Sequence, residues 1–497
     1  MRRGMLKWNE AEDRHEDAEV IIPIGFVVCM AGKTSKKVRN LDSVFNPKSI
    51  AVIGASREPN KIGHVIVKNF VDGGFGGKVY PINPTADSIL GLKAYKSVLD
   101  IKGNVDTAVI AVPAAAVAGV LLECGKKGVP SVVLITGGFA EVGNVEGERE
   151  IAAIAEKYNI ALIGPNCMGV LTPATRVDSV FLPIYKLGRP RVGKIAFISQ
   201  SGAVGGCIVD LAARAGIGMS KFVSYGNAAV INECDLLEYL ADDPETDIIV
   251  VYLEGVKDGR RFLEVARKIT PKKPIVAIKA GKSAAGAEAA KSHTGSLAGS
   301  AEAYRAAFKQ ARVIEADTLD QLFEFAKIFD QPLPRGNRVG IITNGGGMGV
   351  LATDSLEYEK LKLAKLSDGT NSLLRLSLPA YANVRNPLDI VGDADSHRYE
   401  VALNAMMKDD NVDIILLIIL FQTAAIDSGV VNVAIRASDL GKKPIIAVCT
   451  GGEYTEMHQR ILESYGVPTY DSPSSAMRSI ARIAEYAAHR AENTKKK

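Results

Sequence analysis

The strongest constraint in this 497-residue chain is an internal repeat. Residues 193–216, GKIAFISQSGAVGGCIVDLAARAG, and residues 337–357, NRVGIITNGGGMGVLATDSLE, follow one plan. An apolar strand pattern runs into a small polar and glycine turn, which opens a helix. Each copy later carries an aspartate-led apolar run, DIIVVYLEG from Asp247 and DIILLIILFQ from Asp413. Each then repeats nearly the same words, KKPIVAIKAG (272–281) and KKPIIAVCTGG (442–452). Three matches in one order mark two copies of one unit rather than a coincidence. Short apolar β-branched runs alternating with helical stretches mean βαβ units and a parallel sheet. Each copy therefore reads as a doubly wound domain.

The same rhythm precedes the repeat. KSIAVIGAS, KVYPINP, VDTAVIAVP, PSVVLITGG and IALIGPN are separated by helical stretches such as AAVAGVLLECGKKG and EREIAAIAEKYN. The expected class is α/β: a Rossmann-like domain over 41–175, then flavodoxin-like domains over 185–330 and 336–490. The proline-rich DQPLPRGN (330–337) links the last two. Residues 1–40 read as a poorly ordered N-terminal extension. Its apolar run VIIPIGFVVCMAG (20–32) is shorter than the roughly 20 residues a membrane span needs. A net charge of +4 on this length points to neither a nucleic-acid nor a membrane surface. The six cysteines form no CxxC pair and no zinc spacing, so reduced thiols in the cytoplasm are expected, with no metal bound by this chain.

Ligands in such sheets bind beyond the carboxyl ends of the strands. There the two copies differ: Glu254 stands seven residues after Asp247, and Leu420 seven after Asp413. Glu254 is either chemistry or a surface carboxylate at a turn. The turns SQSGAVGG (199–206) and TNGGGMG (343–349) expose backbone N–H groups at helix N-termini, where the dipole favours an anion. As a pair they suggest two helices facing one phosphate. IGASREPNKIGH (53–64) lacks GxGxxG spacing, and with Lys61 present it suits a CoA-type pyrophosphate as well as a nicotinamide one. AGKTS (31–35) and AGKS (280–283) end like a P-loop but lack its first glycine. His293 stands in AAKSHTGSLAGS (289–300), among small residues that leave a backbone free to bend. Asp389, in NPLDIVGDA, either neighbours an acid pocket or caps a turn. His64 reads either as a ligand contact at the 53–64 loop or, the commoner case, as a helix-start residue, and His15, His397, His458 and His489 read as surface residues.

SHTGSLAGS, GPNCMGV (164–170), SQSGA, NGGGMG and NPLDIVGDA together carry a resemblance. From about Leu41 onward the chain resembles the α subunits of ADP-forming acetate–CoA ligase, within the nucleoside-diphosphate-forming acyl-CoA synthetases. The resemblance implies a transient phosphohistidine at His293, with Glu254 holding its imidazole. It implies phosphate on Ser201, Gly202 and Ala203 and on Gly345, Gly346 and Gly347, with Asn166 and Cys167 lining the pocket. It makes the first domain a CoA-binding one, touching coenzyme A through Gly54, Ser56, Lys61, Asn83, Pro84, Val112, Pro113, Thr136 and Gly137. A tyrosine of succinate-type relatives is replaced near Gly206, which suits a different small carboxylic acid. No ATP-grasp domain is evident, so ADP or ATP with Mg2+ is expected on an ATP-grasp β partner in an α2β2 assembly. Two other readings stand beside this one. A nicotinamide-dependent dehydrogenase needs an acid at the end of the second strand, where Asn83 stands. A non-catalytic CoA-sensing scaffold would need neither His293 nor Glu254.

Overall fold

Short β-branched runs become buried strands, and the glycine-bounded stretches between them become helices. The computed structural model describes residues 40–286, 288–289 and 300–495. His293 and residues 1–39 of the expected extension lie outside them.

In the first sheet, β1 (Ser49–Ile53), β2 (Lys78–Ile82), β5 (Thr107–Ile110), β6 (Ser131–Leu134) and β7 (Ala161–Ile163) are parallel, in the order β2-β1-β5-β6-β7. A small hairpin of β3 (Ser88–Ile89) and β4 (Leu92–Lys93) follows β2. The second sheet holds β10 (Val192–Ser199), β11 (Met219–Ser224), β12 (Ile248–Leu253), β13 (Ile275–Lys279) and β14 (Ile314–Ala316). The third holds β15 (Arg338–Thr343), β16 (Lys362–Leu363), β18 (Ile414–Ile418), β19 (Ile445–Val448) and β20 (Thr469–Tyr470), with β17 (Leu388–Asp389) also along β15. Taken in chain order within each parallel set, all three sheets follow the order 2-1-3-4-5, the flavodoxin-like arrangement.

The strands around residue 175, β8 (Gly169–Thr172) and β9 (Val177–Asp178), both extend the second sheet, with β8 antiparallel to β11 through Phe222–Leu171 and Ser224–Gly169. This crossover places the chain leaving β7 against the second sheet. One apolar core accordingly runs from Ile50 and Phe70 through Ile163 and Val170 to Ile198 and Leu253.

The repeated words have physical roles. The second lysine of each KKP binds the end of a helix. Lys273 Nζ donates to the carbonyls of Leu240 (2.8 Å) and Asp243 (2.6 Å), and Lys443 Nζ to those of Met406 (2.9 Å) and Asp409 (2.6 Å). A lysine there satisfies carbonyls that lack helical partners and meets the negative end of the dipole. The prolines after them leave carbonyls that accept from Ile249 and Ile415, starting the next strand pair in register. His458 is a correction: it is buried at 2 % exposure, its ring stacked 4.5 Å from that of Phe421. Its Nδ1 lies 2.7 Å from the Tyr454 carbonyl oxygen. Its partner Phe421 comes from a distant strand end, so nothing local marks it as buried.

Candidate active site between the first and second sheets

The doubly wound order opens a crevice where neighbouring connections leave in opposite directions, here between the carboxyl ends of β10 and β12. After β10 the chain turns at Gln200 into the helix Gly202–Ala215, with Ser201 as its N-cap. Ser201 Oγ accepts from the N–H of Val204, and the Ser199 hydroxyl donates to the Ser201 carbonyl at 2.7 Å. After β12 comes Glu254, buried at 6 % exposure. The Gln200 side-chain oxygen accepts from the N–H of Glu254 (2.8 Å) and of Gly255 (2.9 Å), tying the two strand ends together.

A cavity of about 1060 Å³ lies over this crevice. Val112, Thr136 and Gly137 of the first sheet's loops line it, as do Asn166 and Cys167 of the connecting segment. Ser201, Gly202, Ala203 and Glu254 line it from the second sheet. Residues that the sequence singles out in well-separated segments thus share one wall. Apolar side chains of Ile62, Ile135, Met168, Phe181 and Leu182 complete it, beside the polar Glu148, Gln200, Asn227 and Lys257.

Other expected site residues shape adjoining loops and are not in that wall. Gly54 has φ +91°, and a Cβ there would stand 2.3 Å from the Ala111 carbonyl oxygen, so the turn after β1 needs glycine. Ser56 Oγ accepts from the Glu58 N–H, and the Ser56 carbonyl lies 2.9 Å from His64 Nδ1. His64 is thus the buried anchor of that loop. Lys61 and Pro113 are the N-caps of the helices Ile62–Asp72 and Ala114–Lys127. Asn83, followed by Pro84, donates to the Ala55 carbonyl and accepts from the N–H groups of Thr85 and Ala86. No acid occupies that strand end.

Gly345, Gly346 and Gly347 begin the helix Gly346–Tyr358 of the third sheet and are not part of the cavity wall. Their own domain crowds the first two. A Cβ on Gly345 would meet Leu420 Cδ1 at 2.4 Å, and one on Gly346 would meet Asp389 Oδ2 at 2.7 Å. Leu420 therefore stands where the first copy has Glu254. Asp389 Oδ1 accepts from the Val391 N–H at 2.9 Å, which is the turn-capping alternative.

The electrostatics single out residues that sequence reasoning missed. Lys279, at the end of β13, is 2 % exposed, and its ammonium lies 4.9 Å from the Tyr304 ring centre. Burial pushes its pKa down, against the pull of the Glu254 carboxylate. The Tyr252 hydroxyl is pushed up to about 12, by burial first and then by Glu254, to which it hydrogen-bonds. Asn227 Nδ2 donates to Glu141 (2.6 Å) and Glu148 (2.8 Å), while Lys257 Nζ donates to the Asn227 carbonyl (3.0 Å). Burial opposes ionisation of Glu141, but the bonds from Asn227 and from Gly138 and Phe139 outweigh it and hold its carboxyl low. Cys167 is a packing residue: burial pushes its thiol up to about 12, and Sγ donates to the Leu134 carbonyl. Gln200 has one legible signal, an amide at the same place in both copies, Asn344 being its counterpart. Among the described residues no group of three His, Cys, Asp or Glu is placed to hold a metal ion, and no helix is long and apolar enough to cross a membrane.

Three family models match the chain in succession. A CoA binding domain matches residues 48–173, a succinyl-CoA ligase like flavodoxin domain 192–329, and a ligase-CoA domain 339–493. The α subunit of acetate–CoA ligase [ADP-forming] II of Pyrococcus furiosus is 45% identical over 456 residues, covering 90% of this chain and 98% of that protein. Acetate–CoA ligase [ADP-forming] I of Archaeoglobus fulgidus is 44% identical, over 90% of this chain and 64% of its own greater length. The structure of acetyl-coenzyme A synthetase 1 of Ca. Korarchaeum cryptofilum, in complex with phosphate and ADP, superposes with a TM-score of 0.86 at 39% identity. That match covers 92% of this chain and 98% of the other.

Proposed function

Because this chain belongs to the family of ADP-forming acetate–CoA ligases, we propose that it is the α-type subunit of an ADP-forming acid–CoA ligase. The reaction is acyl-CoA + ADP + phosphate = carboxylic acid + ATP + CoA. The observation that carries this reading is the shared cavity. It sets the loops of a CoA binding domain against a helix N-terminus and a buried carboxylate.

In the first step a phosphate oxygen attacks the thioester carbonyl, giving an acyl phosphate and releasing CoA as its thiol. The loops at Val112, Thr136 and Gly137 hold the CoA side, while Gly54, Ser56, Lys61, Asn83, Pro84 and Pro113 shape or touch the rest. The N–H groups at Ser201, Gly202 and Ala203 hold the phosphate and stabilise charge as it builds, which is what phosphoryl transfer chiefly demands. In the second step His293 takes the phosphoryl group and the acid leaves as its carboxylate. Glu254, accepting from the imidazole Nδ1–H, fixes the tautomer, leaves Nε2 to attack and stabilises the ring's positive charge. The phosphoryl group then passes to ADP. In this reading ADP and its Mg2+ lie on an ATP-grasp β partner, in an α2β2 cytoplasmic enzyme. Gly345, Gly346 and Gly347 serve phosphate at a later station of that transfer.

The test incubates the purified chain with acetyl-CoA and radiolabelled phosphate. An acid-labile label on His293 is expected, absent in His293→Ala and reduced about 10–100-fold in rate in Glu254→Gln. Absence of label with and without the nucleotide-binding partner would refute the enzymatic reading.

A further inference from the structure

The orientation of the Gln200 amide follows from its hydrogen bonds. One end meets two backbone N–H donors, of Glu254 at 2.8 Å and Gly255 at 2.9 Å. An amide NH2 cannot accept, so that end is the oxygen. Nε2 is therefore the other end. Gln200 lies in the cavity wall with Ser201, Gly202 and Ala203, and among the described residues its Nε2 has no hydrogen-bond partner.

The second copy supplies the control. Asn344 Oδ1 accepts from the Leu420 N–H at 2.9 Å, the same tie between the same two strands. Its Nδ2, however, is engaged with the Leu420 carbonyl (3.2 Å) and Thr423 Oγ1 (3.3 Å). Asparagine is a staple with both ends used. Glutamine, one methylene longer, staples with its oxygen and leaves its two donor hydrogens unused on a half-buried residue of the cavity wall. This difference accompanies the replacement of Glu254 by Leu420, so the copy with the carboxylate also keeps the spare donor.

We propose that Gln200 is a further anion-binding residue of this site. Its oxygen positions Glu254, and its NH2 donates to the tetrahedral phosphate or phosphoryl group at the N-terminus of the helix Gly202–Ala215. The assignment rests on the ligase reading of the site. A neutral donor suits this position, because it adds a hydrogen bond without the full positive charge that would blunt a phosphate oxygen needed as a nucleophile.

Calorimetric titration of inorganic phosphate into the full-length chain, as wild type, Gln200→Glu and Gln200→Asn, tests this role. Glutamate preserves an acceptor for the two N–H groups but presents negative charge to the anion. Asparagine is expected to fold as Asn344 does, with both ends used. Both variants should keep the wild-type unfolding midpoint and bind phosphate at least about tenfold more weakly, or about 1.4 kcal/mol. Should the glutamate variant fail to fold, Gln200→Asn decides alone. Unchanged phosphate affinity in a folded variant, or no saturable binding by the wild type, overturns the assignment. Acyl-CoA-dependent labelling of the same wild-type preparation decides the ligase reading separately. Normal labelling with unchanged affinity in the variants removes only the role of Gln200.

Discussion

Replacing Arg189 with methionine tests how the apolar wall of the cavity is held. Phe181 and Leu182 line that wall from the segment between β9 and the next strand. Arg189 anchors the segment three times: Nε to Asp178 Oδ2 at 2.7 Å, and its two terminal nitrogens to the carbonyls of Leu187 (2.7 Å) and Leu182 (2.9 Å). Asn69, from the first domain, donates to the carbonyls of Val180 and Leu182. The ion pair is nearly buried, with side chains 15% and 7% exposed for Arg189 and Asp178. Methionine keeps the apolar stem, removes the fork and strands the Asp178 carboxylate. Breaking one side of a buried pair costs about 3–5 kcal/mol. The pH dependence identifies the cause. Burial already raises the Asp178 pKa above its ordinary value of 3.8, outweighing Arg189. The unfolded chain therefore loses its proton first, and Asp178 costs stability as pH rises from that value through its folded pKa. Without Arg189 the folded pKa climbs further and the window widens. Urea unfolding should show a small loss at about pH 4 and the full loss by about pH 8. The KM for acyl-CoA should rise as the wall loosens. Arg189→Lys should restore the charge effect but not both carbonyl bonds. A loss under about 1 kcal/mol at the higher pH, or equal losses at both, would refute the reasoning.

Gly226 has φ +53°, and a Cβ there would stand 2.2 Å from the Pro165 carbonyl oxygen and 2.4 Å from that of Asn166. Gly226→Ala should cost at least about 1–2 kcal/mol in backbone strain alone. It should also push the two cavity walls apart, so CoA titration should show weaker binding; wild-type affinity would contradict this close approach. Native-state alkylation at neutral pH, read by peptide mass spectrometry, should modify the exposed Cys207 quickly. It should spare buried Cys124 and Cys167, whose thiols burial pushes up to about 12. Equal labelling of Cys167 and Cys207 would contradict that ordering.

Much of the architecture is legible in the sequence because it is local. Hydrophobic alternation, glycine turns and the repeated KKP words specify strands, helix starts and helix ends within a few residues of themselves. The repeat also acts as an internal alignment, which makes Glu254 against Leu420 readable without any other sequence. The sequence by itself therefore determined the class, the three successive units and the residues around which a site could form. Tertiary packing decided which of them meet. It put β8 on the second sheet and buried His458 against Phe421. It set Leu420 and Asp389 against the second helix start, while Thr136, Asn166, Ser201 and Glu254 came to one cavity. It also turned Gln200 so that its oxygen meets a strand end 54 residues away. The physical reason is that a strand's period states which face is apolar, whereas partners across a sheet are chosen by packing and by the need to satisfy every buried backbone group.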